Sequence, residues 1–183
     1  MKSSNVSGQA YGFLAMTPIK PGQEAGLRAY LEDLRDPGPS PMSRVPGTHM
    51  ARWVIVERFN WDPFYDQPEP DALALPMLIF STCFDGGLDG YLDALCVELA
   101  AEAPFIWGRC IGCPDPAAGP ALKAYLEHNQ IDCGFFFAAY GQATLERVRA
   151  SLDQRDRLIA FATRTQGLPP AEIQRAFALE FPR

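Results

Sequence analysis

Histidine is the scarcest of the side chains here that can carry chemistry: the chain has only His49 and His128. An imidazole changes charge near neutral pH, which makes it the usual general acid or base. His49 stands at the start of the run Thr48-His49-Met50-Ala51-Arg52-Trp53-Val54-Ile55-Val56, rich in β-branched residues and readable as a strand. Asp85 stands just past the end of a second apolar run, residues 75–84. If these two strands pair antiparallel, the start of one lies beside the end of the other and His49 comes near Asp85. A carboxylate beside an imidazole orients the ring and raises its pKa, which makes a general-base dyad. The plainer alternative is a strand-end histidine that caps the adjacent turn.

Arg52 lies inside the same strand, and simple alternation puts it on the face opposite His49, Trp53 and Ile55. A charge in an apolar strand costs free energy unless paired. Arg52 is therefore either a clamp for a substrate anion or an edge-strand charge that discourages aggregation. Cys110-Ile111-Gly112-Cys113 is a C-x-x-C pair, but zinc needs two more ligands and no second pair follows. A redox motif of this type should follow a strand and open a helix, whereas this one precedes Pro114 in a loop. The sequence contains no glycine-rich phosphate loop, no G-x-S-x-G and no H-E-x-x-H.

The elements that must position these residues follow from hydrophobic period. Strands are expected over 11–19, 48–59, 75–84 and 133–140. Helices are expected over 22–36, from Leu88 onward, over 120–130, 144–166 and 170–181. Residues 1–9 are small and polar and read as a flexible end; 60–72 and 104–119 read as irregular, and Gln154-Arg155-Asp156-Arg157 as a place where the long helix bends or changes face. Residues 10–183 then form one domain with the order β-α-β-β-α-(α)-β-α. That is the split βαβ, ferredoxin-like α+β pattern, with a four-stranded antiparallel sheet in the order 4-1-3-2. The strands are apolar on both faces, above all Phe135-Phe136-Phe137. One helix layer leaves one face uncovered, and a second copy of the chain is the expected cover. The proline-stiffened loop 37–47 falls at the His49 end of this sheet and can wall a pocket there.

Composition limits the partners. The chain has 183 residues, 48% hydrophobic and 21% charged, and a net charge of −6. A general nucleic-acid binder or a binder of anionic membranes carries a basic surplus, so neither is expected. The longest apolar stretches fall short of a membrane span. The first residues lack an apolar signal core, and five cysteines are an odd number, so a cytoplasmic, reduced protein is expected.

The element order, together with T-H-x-A-R-W-V-I-V at 48–56 and F-D-G-x-x-D-x-Y at 84–91, resembles the dimeric α/β-barrel superfamily. That group includes antibiotic-biosynthesis monooxygenases, polyketide cyclases and dye-decolorising peroxidases. The resemblance implies a homodimer enclosing an apolar cavity, and an oxidoreductase-type enzyme, cofactor-free or haem-assisted, acting on an apolar, aromatic organic molecule. It also implies a place for an axial haem ligand on the helix before the fourth strand, where His128 stands. Residues 86–90 match G-x-x-D-G, the distal haem motif of the peroxidases, with Asp89 in the role that assists peroxide cleavage. The bland readings are an exposed helix-end histidine and a first-turn carboxylate. Beside the oxidoreductase stand two other expectations: a non-redox cyclase or isomerase using His49 and Asp85, and a protein that holds a hydrophobic ligand without chemistry.

Overall fold

The computed structural model of the chain describes residues 4–34, 38–58 and 72–182. The loop expected over 60–72 lies outside the described residues except for Ala72, which begins a strand. Two compact units divide the chain, 1–145 and 146–183.

The first unit is α+β. Its four strands are β1 (Val6–Ser7), β2 (Ala10–Pro18), β3 (Thr48–Arg58) and β4 (Ala72–Asp85), all antiparallel in the order β1-β2-β4-β3. The three long strands keep the neighbours expected of them. The fourth place differs. Residues 133–140 form no strand, and the two-residue β1 takes the edge beside β2. Hydrogen bonding explains this. Along that edge the Gly12 N–H donates to the Asn5 carbonyl (2.8 Å) and the Met16 N–H to the Asn129 carbonyl (3.1 Å). The Leu14 carbonyl accepts from Ile131 (2.8 Å) and the Pro18 carbonyl from Ile111 (2.8 Å). Short irregular segments have used the groups a long strand would need, so the β-propensity of three consecutive phenylalanines finds no ladder. The chain instead crosses onto the sheet's second face. The Phe136 ring lies on Gly12, where a Cβ would come within 2.8 Å of it, so glycine makes that approach possible.

The core fills the space between the other sheet face and four helices: α1 (Glu24–Asp33), α2 (Leu88–Glu98), α3 (Ala103–Ile106) and α4 (Gly119–His128). Phe13, Ala15, Leu78, Phe80 and Phe84 face it from the strands. Leu92, Leu95 and Leu99 present the apolar stripe of α2, whose N-terminus follows the left-handed turn at Gly86 (φ 92°). The segment expected to be irregular, 104–119, supplies the centre of this core. Trp107 is fully buried in a 3-10 turn; its ring meets Phe80 edge-on at 5.3 Å, and Trp53 stacks on Phe80 at 5.2 Å.

The second unit is a helical hairpin of α5 (Leu145–Arg164) and α6 (Pro170–Glu180). The Phe161 ring packs against Phe177 and Phe181, and Arg164 pairs with Glu180. The charged run 154–157 lies inside continuous helix. Among the described residues no helix is long and apolar enough to cross a membrane.

Trp107 packs against two aromatic rings, Phe80 and Trp53, at the centre of the core. Trp107→Ala should lower unfolding free energy by about 3–5 kcal/mol, the usual cost of emptying such a site. Urea unfolding followed by circular dichroism measures it, and a loss below 1 kcal/mol, roughly the mean for any substitution, would contradict this placement.

Candidate active site at the bulged end of the sheet

Pairing of β3 with β4 follows one register from Met50 opposite Cys83 to Val56 opposite Met77. That register, continued, would set His49 opposite Phe84. Instead Thr48 stands opposite Phe84, and His49 is the extra residue of a β-bulge. A bulge breaks alternation and re-aims a side chain. The imidazole turns to Asp85: His49 Nε2 lies 2.8 Å from Asp85 Oδ1, with the two side chains 24% and 15% exposed. The second carboxylate oxygen, Oδ2, accepts the backbone N–H of Leu145 at 2.6 Å. The Asp85 N–H donates to the Gly47 carbonyl (3.1 Å), and Gly47 holds φ at 73°, a left-handed value that suits glycine.

The protonation pattern follows from these partners. A carboxylate oxygen accepts, so Nε2 carries the proton in this bond. In the neutral imidazole Nδ1 then keeps its lone pair and is the nitrogen able to take a proton. The expected juxtaposition of His49 and Asp85 is thus formed, although the bulge that aims it is not visible in the sequence pattern.

Alternation along β4 places Asp85 on the same side as Cys83 and Ser81, away from the helices. A cavity of about 250 Å³ opens on that side, lined by Leu14, Met50, Arg52, Ser81, Cys83 and Phe136, among others. Burial first, and then the Asp85 carboxylate, pushes the Cys83 thiol pKa up, which ties the dyad to the cavity wall. Arg52 stands opposite Ser81 and lines this cavity. The expectation that Arg52 and His49 occupy opposite faces therefore needs correction. It assumed unbroken alternation, and the bulge removes it. Among the described residues no carboxylate pairs with Arg52.

The other two candidates sit elsewhere. His128 is the exposed last residue of α4. The next residue, Asn129, bonds Met16 in the far half of β2, away from the Ala10–Asp85 end where His49 lies. The Asp89 side chain is 86% exposed, and Lys123 holds it at 2.6 Å while also bonding Asp93 at 2.7 Å. The two carboxylates hold the Lys123 ammonium pKa well above its usual value, and the cluster ties α2 to α4. Ala121 and Ala124, the small residues on the same helix, are exposed as well and enclose nothing beside His128. An axial haem ligand needs an enclosed, oriented imidazole. These residues do not fit that requirement.

Cys110 is fully buried, with its sulfur 3.3 Å from Thr17 Oγ1. Burial raises its pKa, and burial together with the neighbouring Cys110 pushes Cys113 to about 11. Both are thiols at neutral pH, whereas redox exchange and zinc binding use the thiolate. Among the described residues no group of three or more His, Cys, Asp or Glu is placed to hold a metal. The sequence reading missed the hydroxyls around the bulge: Thr48, Thr82 and Tyr91. Tyr91 falls on the apolar stripe of α2 with Leu92, Leu95 and Leu99. The available signal was a polar-tipped ring in a stripe otherwise made of leucines.

Burial raises Cys96 to about 11 as well. In the unfolded chain these thiols ionise near 9. The stabilisation is therefore fully present below pH 9 and is lost as pH rises toward 11, because the unfolded chain releases protons first. Urea midpoints should hold steady from about pH 7 to 8.5 and then fall, with a shallower fall in Cys96→Ala. A midpoint unchanged at pH 10.5 would contradict the burial of these thiols.

Comparison of the chain with protein-family models, with curated proteins and with solved structures finds no match, so the site is read from its own geometry.

Proposed function

We propose that the chain is a small-molecule enzyme of the acid–base kind, a cyclase or isomerase acting on an apolar, aromatic organic substrate. The observation that carries this reading is the 2.8 Å bond between His49 and Asp85 beside a cavity lined by apolar side chains and Arg52. The substrate rests against Leu14, Met50 and Phe136. The Arg52 guanidinium holds its anionic group, or the oxygen that gains charge as a carbon is deprotonated. Nδ1 of His49 takes that proton, Asp85 stabilises the resulting imidazolium, and the same proton returns to a second carbon. A positioned base of this type contributes about 10²–10⁴ in rate. The acid–base route therefore ranks ahead of the oxidoreductase-type route that the resemblance implies: His49 and Asp85 come together, while His128 and Asp89 do not.

The proposal includes a homodimer. On the sheet's second face Met50 is 70% and Val54 41% exposed, beside the half-buried Leu14, Met16 and Ile79. Phe136 lies over Gly12 at one corner of that face. A second copy packed face to face would cover the rest and close the cavity, as in the dimeric α/β-barrel superfamily that the sequence resembles. A reducing, cytoplasmic setting belongs to the same reading and rests on five free thiols.

Proton exchange tests the chemistry without knowledge of the natural substrate. Aromatic ketones incubated in D₂O should exchange their α-protons in the presence of the protein. His49→Ala should slow this by about 10²-fold or more, and Asp85→Asn by less, with circular dichroism unchanged. Full exchange in a folded His49→Ala variant would make His49 a strand-end structural residue. Light scattering at micromolar concentration should give about twice 20.2 kDa; a monomer would remove the face-to-face dimer.

A further inference from the structure

Four oxygen–oxygen contacts run through the bulge that carries His49. Thr48 Oγ1 lies 2.9 Å from the Val45 carbonyl and 3.0 Å from the Tyr91 hydroxyl. Thr82 Oγ1 lies 2.9 Å from the same hydroxyl and 3.0 Å from the Met50 carbonyl. The chain thus begins beside the residue before His49 and ends on the residue after it. Tyr91 is at its centre, with its ring stacked flat on Phe84 at 3.5 Å. Phe84 is the residue opposite Thr48.

The protons can be counted. Three hydroxyls bring three protons, and two carbonyls bring none. Four contacts therefore share three protons. If both threonines donate to their carbonyls, Tyr91 donates to one threonine and its contact with the other holds no proton. Removing the Tyr91 hydroxyl leaves each threonine donating to its own carbonyl, with no buried donor orphaned. An under-used acceptor is tolerated far better than an orphaned donor. The hydroxyl therefore adds little to stability. What it adds is a tie between the two sides of a bulge that has no ladder partner of its own. Burial raises the Tyr91 pKa, so the hydroxyl keeps its proton.

We infer that Tyr91 is a positioning residue for the His49–Asp85 pair: its hydroxyl, through Thr48 and Thr82, holds the bulge in the one conformation that aims the imidazole at Asp85. Its importance for catalysis rests on the acid–base reading above. The aim of the ring can be measured without any substrate.

The two histidines of the chain give two sets of ring signals in protein labelled with ¹⁵N-histidine, and His128→Ala assigns them. In the wild type His49 should hold its proton on Nε2. In Tyr91→Phe, which keeps the stack on Phe84, the His49 ring should become a mixture of tautomers. Its Nε2 proton should exchange with water about tenfold faster, the scale of one lost hydrogen bond. The melting temperature should shift by no more than about 4 °C. Thr82→Val, which cuts the tie to Met50 and leaves every ring in place, should do the same. Tyr125→Phe removes another largely buried tyrosine hydroxyl, bonded to the Ile111 carbonyl, and should leave the His49 signals unchanged. Unchanged His49 signals in Tyr91→Phe and Thr82→Val would overturn the positioning role and leave the acid–base reading standing. Collapse of the fold in Tyr91→Phe would contradict the proton count and make the hydroxyl a stability element. Full proton exchange by His49→Ala would do the reverse, ending the acid–base reading while the ring measurement still decides the role of Tyr91.

Discussion

The antiparallel pairing of β3 with β4, interrupted by one extra residue at His49, is the constraint on which the site depends. Regular pairing would bury or expose each side chain by parity alone. One inserted residue lets Thr48 keep its place on the core side and Met50 its place on the cavity side, while the imidazole between them is freed to turn along the strand end. The partner strand supplies the carboxylate at that point because β4 ends there, at Asp85, before the left-handed turn at Gly86. The dyad is thus a consequence of where two strands start and stop.

The two faces of the sheet do different work. Toward the helices, Phe13, Phe80, Phe84 and Trp107 make a close-packed aromatic core that holds the strands rigid. Toward the other side, small and flexible residues such as Gly12, Ser81 and Met50 leave room for a cavity. A site built on strands backed by a rigid core holds its geometry better than one built on loops. The hydroxyl chain joins the two layers: its central member, Tyr91, stands on a core helix, and its ends lie on the backbone either side of His49.

Much of this was legible in the sequence. The period of the strands at 48–58 and 72–85 and the element order were enough to bring His49 toward Asp85. The helices at 88–98, 119–128, 145–164 and 170–180 announced themselves through spacing and flanking proline or glycine. The misses have physical causes. Cys133-Gly134-Phe135-Phe136-Phe137 carries strong β-propensity, but the edge it would join is occupied by Asn5, Asn129 and Ile131, and propensity cannot report on an occupied edge. Residues 104–119 look irregular because their prolines and glycines break any period, yet their one tryptophan is the centre of the core. The bulge leaves no mark in the pattern of apolar residues, which is why Arg52 was assigned to the wrong side relative to His49.

The register at His49 is what the catalytic reading stands on, and cross-strand nuclear Overhauser contacts measure it directly. Backbone contacts should join Met50 to Cys83 and Thr48 to Phe84, with the His49 ring protons close to Asp85. Contacts that instead join His49 to Phe84 and Thr48 to Asp85 would show an unbroken ladder. The imidazole would then share the core side with Ala51 and Trp53, and the dyad would not exist.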